Sequence, residues 1–64
     1  EKLKLLLDYW IEHNKEHSQE FIDWADKAKL MGEGKIAREL LHAAREMDKA
    51  SKILSQSLQK LREV

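Results

Sequence analysis

Leu3, Leu7, Trp10, Asn14, His17, Phe21, Trp24, Ala28 and Met31 follow one another at alternating steps of four and three residues without a slip. That spacing keeps one edge of an α-helix turned toward a partner, so the first half of the chain reads as one continuous packed helix. The second half repeats the pattern through Ala37, Leu40, Ala44, Met47, Ser51, Leu54, Leu58 and Leu61. The chain has no proline, and its two glycines, Gly32 and Gly34, stand between the two rows. Gly32 can take the left-handed conformation that ends a helix, with Lys27 and Lys29 complementing the negative end of the helix dipole. Glu33 lies near the positive end of the next helix. The chain therefore reads as all-α and as a single domain over residues 1–64. A helix is expected over about 2–31, a turn over 32–34 and a second helix over about 35–63.

A break in the first helix at Asn14 or Ser18 is disfavoured. Neither is followed three residues later by the Glu or Gln of a capping box, and the heptad runs straight through both.

An antiparallel hairpin turning at residues 33–34 brings together positions whose numbers sum to about 67. Trp10 then lies opposite Ser57, His17 opposite Ala50 and Trp24 opposite Ala43. Three large rings meet three small side chains, which fills space without strain. Leu6, Ile11, Ile22, Ile36, Leu41 and Ile53 widen the apolar stripes beyond what one hairpin can cover. A chain of 64 residues also buries only roughly 60% of its unfolded surface. The expected solution is a homodimer, two hairpins forming an antiparallel four-helix bundle.

Composition narrows the function classes. Cysteine is absent, so disulfides and thiolate metal sites are excluded. The longest apolar run is Leu5-Leu6-Leu7, too short for a membrane span or a secretory leader, and a cytoplasmic location is expected. The chain starts at Glu1 rather than methionine, as a processed form or an excised domain would. Twelve basic and twelve acidic residues cancel. Their mixing leaves no basic stripe for phosphates, so neither nucleic acid nor a membrane surface is an expected partner. Residues 1–32 hold five Lys/Arg against seven Asp/Glu, and residues 33–64 hold seven against five. Those opposite balances favour pairing of the two halves with each other or with a second copy; another protein partner is not identified by any motif.

The feature richest in chemistry is "YWIEHNKEHSQEF", Tyr9 to Phe21. His13 and His17, four apart, are stacked neighbours on one helix edge, with Glu20 one turn further and Glu16 on the outer side. Two imidazoles at this spacing can reach one metal ion, and a carboxylate can complete a facial set. Neutral imidazole suits zinc, nickel, cobalt and copper. In a dimer paired about a twofold axis at this belt, four histidines would converge, with Glu20 or Glu16 as further or outer ligands. The Ser51 hydroxyl across the hairpin could orient an imidazole. The alternative is structural: a polar layer in a helical seam fixes register and oligomer state at a cost in stability, and Asn14 suits that role. Clustered imidazoles charge and repel at about pH 5–6, so acid sensitivity is expected under either reading.

Other constellations carry less. Glu39 and His42 have the i, i+3 spacing of di-iron carboxylate bundles, but His42 falls in a row with Lys35, Lys49 and Gln56 on the solvated face. Ser51, Ser55 and Ser57 have no base beside them, and there is no phosphate-cradling glycine loop, so an enzyme is not expected.

The run "LLDYWIEHNKEHSQEFIDWADKA", a short glycine turn and "IARELLHAAREMDKASKILSQSLQKL" together resemble a family of small uncharacterised bacterial and archaeal helical-hairpin domains. These share a Leu-rich start, an H-N-x-x-H motif, an aromatic-acidic stretch and a second Ala/Leu helix, and many follow a His-rich segment. The resemblance implies an association with transition-metal handling, of nickel, cobalt or zinc, rather than an enzymatic activity. This chain carries no His-rich tract. The expected function is a non-enzymatic metal-binding accessory or storage module using His13, His17, Glu20 and Glu16. The alternative is an oligomerisation or protein-interaction module in which the His/Asn layer only sets helix pairing.

Overall fold

The Glu1 carboxylate accepts a hydrogen bond from the Leu3 amide at 3.2 Å and so starts the first helix, α1, Lys2–Leu30. The computed structural model describes residues 1–63. Gly32 then takes a φ of +81°, the left-handed conformation that a Cβ would strain. The Glu33 amide reaches back to the Ala28 carbonyl at 2.8 Å, so the helix end is closed by the backbone itself. Gly34 opens the second helix, α2, Gly34–Arg62. Nothing interrupts α1 at Asn14 or Ser18. Each helix has 29 residues, and the two pack along their whole length as an antiparallel hairpin, a rod of 50 × 14 × 10 Å. No helix among the described residues is long and apolar enough to cross a membrane.

The seam of α2 is the one its heptads predict: Ala37, Ala44 and Leu58 are buried, and Leu40, Met47, Ser51, Leu54 and Leu61 are half-buried. The seam of α1 differs. Leu7, Ile11, Ser18, Ala25 and Ala28 are buried, with Asn14 and Phe21 half-buried between them. This row shares Leu7, Asn14, Phe21 and Ala28 with the expected one, but replaces Trp10, His17 and Trp24 by their C-terminal neighbours. Trp10 stays 40% exposed and Trp24 52%. The helix has turned by one position, and packing explains why. Ala25, Ala28, Ala37 and Ala44 let the backbones approach closely, and a helix pair that close has no room for indoles between its axes. The rings therefore lie on the flank, beside the small residues of α2 rather than between the helices.

The core has two halves. Toward the open end Leu7, Ile11 and Leu58 form one buried cluster, with Leu54 and Leu61 packed against it. Toward the turn Ala25, Ala28 and Ala37 form another, covered by Leu40. Between the halves lies a polar layer. The buried Ser18 hydroxyl donates to an Asp48 carboxylate oxygen at 2.8 Å and lies 3.3 Å from the Ala44 carbonyl. These bonds tie the midpoints of the two helices and fix their register.

Ser51 also lies in the seam, but its Oγ is buried without a hydrogen-bond partner among the described residues. It orients no imidazole, because Ser51 lies in the seam while His17 has moved to the flank. A buried hydroxyl left unpaired costs about 1–3 kcal/mol, and alanine is also the better helix former. Ser51→Ala is therefore expected to raise the thermal midpoint by several degrees. A lowered midpoint in a circular dichroism melt would show that the hydroxyl is satisfied in solution.

Candidate functional site

The turn of α1 by one position decides where the histidines sit. With Ile11 and Ser18 inward, His17 occupies the outer flank and His13 stands one helical turn before it. The His17 side chain is 39% exposed. Neither histidine contributes to the buried seam; the layer that sets pairing within the hairpin is made by Ser18 and Asp48 instead.

His13 and His17 face each other through their Nε2 atoms, 2.9 Å apart, with the rings edge to face and their centres 4.4 Å apart. On its other side His17 turns Nδ1 to the Glu20 carboxylate at 3.1 Å. A carboxylate only accepts, so with neutral imidazoles the network assigns the protons. His17 carries its proton on Nδ1 and gives it to Glu20; its bare Nε2 then accepts from Nε2–H of His13. Glu20 thus selects the His17 tautomer whose Nε2 carries a lone pair rather than a proton.

The rings extend this pair in both directions. Tyr9 stacks on His13 at 5.4 Å between centres, and His17 stacks on Phe21 at 6.2 Å. Four rings at positions 9, 13, 17 and 21 form one ladder along α1. Flanked this way, the imidazoles are held by contact on both sides as well as by the Glu20 hydrogen bond. The i, i+4 spacing of the rings was the available signal for this ladder.

Of the four candidate ligands, the structure brings His13, His17 and Glu20 into one chain of contacts, with Glu20 behind His17 rather than beside both imidazoles. Glu16 takes part in no hydrogen bond or ion pair among the described residues. Its position, one short of His17, carries it around to the far side of the helix. Accordingly, no three histidine or carboxylate side chains of a single copy converge on a common point among the described residues.

The third histidine is used otherwise. His42 Nε2 lies 3.1 Å from a Glu46 carboxylate oxygen that Lys49 approaches at 3.3 Å. The hydrogen bond and charge of Lys49, together with the bond from His42, hold the Glu46 carboxyl below the usual carboxylate range. All three side chains are well exposed, so this is a solvated surface cluster. Glu39 is not His42's partner. The Ser18–Asp48 tie is not among the sequence expectations, where Ser18 enters only as a possible helix cap; a polar residue in the second possible heptad row is its trace in the sequence.

No curated protein and no solved structure is significantly similar to this chain. Residues 3–61, nearly its whole length, match one family, and the chain belongs to that family, described as a domain of unknown function (DUF8180).

Proposed function

We propose that the chain is a non-enzymatic binding module for a divalent transition metal, with His13 and His17 as ligands through Nε2 and Glu20 as the group that orients His17. The observation that carries this is the 2.9 Å between the two Nε2 atoms. Metal–imidazole bonds of 2.0–2.1 Å set two ligand nitrogens about 2.9 Å apart at a right angle and about 3.3 Å apart at the tetrahedral angle. The pair is therefore at ligand spacing before any ion arrives. Loading requires His13 to move its proton from Nε2 to Nδ1, and a small rotation that turns both lone pairs to a common point. Glu20 on Nδ1 of His17 is the carboxylate–histidine–metal arrangement that fixes the tautomer and raises ligand basicity. Zinc, nickel and cobalt all suit such nitrogen donors. The likeness in sequence to domains that follow His-rich segments points the same way, and a cytoplasmic accessory or storage role is the one we assign to it.

The second reading is an oligomerisation module that pairs with a further copy of itself, four helices in all. The apolar side chains left exposed along one flank favour it: Leu3, Trp10, Trp24, Met31 and Ile36 all lie there. The two readings are compatible, since pairing along that flank would bring two histidine pairs together.

Titration of zinc, nickel and cobalt into the chain, followed by calorimetry and by the thermal midpoint, tests the first reading. Binding is expected to stabilise the fold, by about 2.7 kcal/mol when free metal is at a hundred times its dissociation constant. The His13→Ala/His17→Ala double variant is expected to lose that stabilisation while its melt without metal stays close to the parent's, because neither ring is in the seam. Absence of any metal-dependent shift in the parent chain at neutral pH sinks the metal reading.

A further inference from the structure

We infer that a second copy of this chain docks on the Trp-bearing flank of α1, antiparallel to it, about a twofold axis through His17. The flank carries Leu3, Trp10, His17, Trp24 and Met31, one residue per heptad. In size and chemistry this row reads the same from either end: aliphatic, indole, imidazole, indole, aliphatic. An antiparallel copy centred on residue 17 therefore sets Leu3 against the partner's Met31, Trp10 against the partner's Trp24, and His17 against the partner's His17. A twofold contact must be complementary to itself, and this row is.

The neighbouring row of α2 obeys the same axis. The core register, with Leu7 in one cluster with Leu58 and Ala28 in one cluster with Ala37, puts Trp10 beside Ser57, His17 beside Ala50 and Trp24 beside Ala43 on this flank. Ala43, Ala50 and Ser57 are symmetric in size about Ala50, so one axis passes through the middle of both helices. Small side chains there leave space that the partner's indoles fill. On the next row outward, His13 comes beside the partner's Glu20, an imidazole against a carboxylate. Lys27, whose ammonium lies 4.2 Å from the centre of the Trp24 ring, borders the row, and its stem covers the partner's Leu6.

Two further observations commit the occupant to a second copy. Among the described residues no large side chain is fully buried in a single hairpin, and most of the exposed large apolar ones sit on this one side: Leu3, Leu6, Trp10, Trp24, Met31, Ile36 and Ile53. A stable interface of about 800 Å² per partner needs only about 15% of the 5163 Å² that the hairpin exposes. The site is also incomplete alone. One copy offers two imidazole nitrogens where zinc takes four ligands, and the twofold supplies the partner's His13 and His17 as the other two. This shared metal rests on the function proposed above; the contact itself does not.

The test separates the two. Light scattering with chelator present is expected to give about twice the 7.6 kDa chain mass, and Trp10→Glu/Trp24→Glu to give a folded, helical monomer, since both rings are outside the seam. Under mild oxidation His17→Cys is expected to form a covalent dimer and Glu12→Cys, on the opposite flank, to form none. Trp10→Cys and Trp24→Cys chains, mixed, are expected to link to each other rather than to themselves. A monomer in chelator, or self-linking at position 10, overturns the interface even if metal still binds. A dimer with these cross-links that takes up no zinc keeps the interface and overturns the shared metal.

Discussion

Leu58→Ala is expected to remove a large share of the chain's folding free energy, about 2–5 kcal/mol. Leu58 is 6% exposed and is buried in the cluster at the open end with Leu7 and Ile11, where Leu54 and Leu61 pack against them. Truncating a buried leucine costs about 2–5 kcal/mol, from lost burial and the cavity left behind. A domain of this length has roughly 3–10 kcal/mol in all, at 0.05–0.15 kcal/mol per residue. The opposite end offers little reserve, since its buried cluster is made of Ala25, Ala28 and Ala37, which bury less apolar area each. Leu30→Ala is the control: at 88% exposure it is expected to change stability by less than about 0.5 kcal/mol. Urea melts of both variants read the difference. Equal destabilisation by the two would mean that the open-end cluster is not the principal core.

That lopsided core explains what was legible in the sequence and what was not. The hairpin and its turn could be read because few structures accommodate two proline-free heptad rows separated by Gly32 and Gly34. In α2 two rows share Leu40, Met47, Leu54 and Leu61; the one completed by Ala37, Ala44, Ser51 and Leu58 is the seam, as expected, and the one completed by Ile36, Ala43, Ala50 and Ser57 is its flank. In α1 two rows satisfy the same spacing around Leu7, Asn14, Phe21 and Ala28. One adds Trp10, His17 and Trp24; the other adds Ile11, Ser18 and Ala25. Residue-type hydrophobicity favours the indoles, but the deciding quantity is the distance between helix axes, which the alanines of both helices set together. No single helix contains that information. The histidine pair itself was legible from its i, i+4 spacing. Its release from the seam was not, nor was the Ser18–Asp48 bond that took over as the polar tie between the helices.

Glu20 and Glu16 are both candidate ligands in the sequence, Glu20 on the histidine edge and Glu16 on its outer side, and their substitutions have different expected results. Glu20 accepts from His17 Nδ1 at 3.1 Å, so Glu20→Gln removes the charge that fixes the tautomer and supports ligand basicity. Loss of such an outer partner typically weakens metal binding 10–100-fold, and that is the expected fall in zinc affinity. Glu16→Gln changes only a solvated charge and is expected to leave affinity within about twofold, because surface charges near a site contribute little once screened. Both variants are expected to melt with the parent when no metal is present, since neither carboxylate supports the seam. The contrast also distinguishes two roles for Glu20. If it bound the metal directly, its loss would change the coordination number, and the visible spectrum of the cobalt form would shift with it. If Glu20 only orients His17, its loss lowers affinity while leaving that spectrum nearly unchanged. Equal losses for Glu20→Gln and Glu16→Gln would mean that total negative charge near the histidines, rather than the hydrogen bond to His17, governs metal uptake.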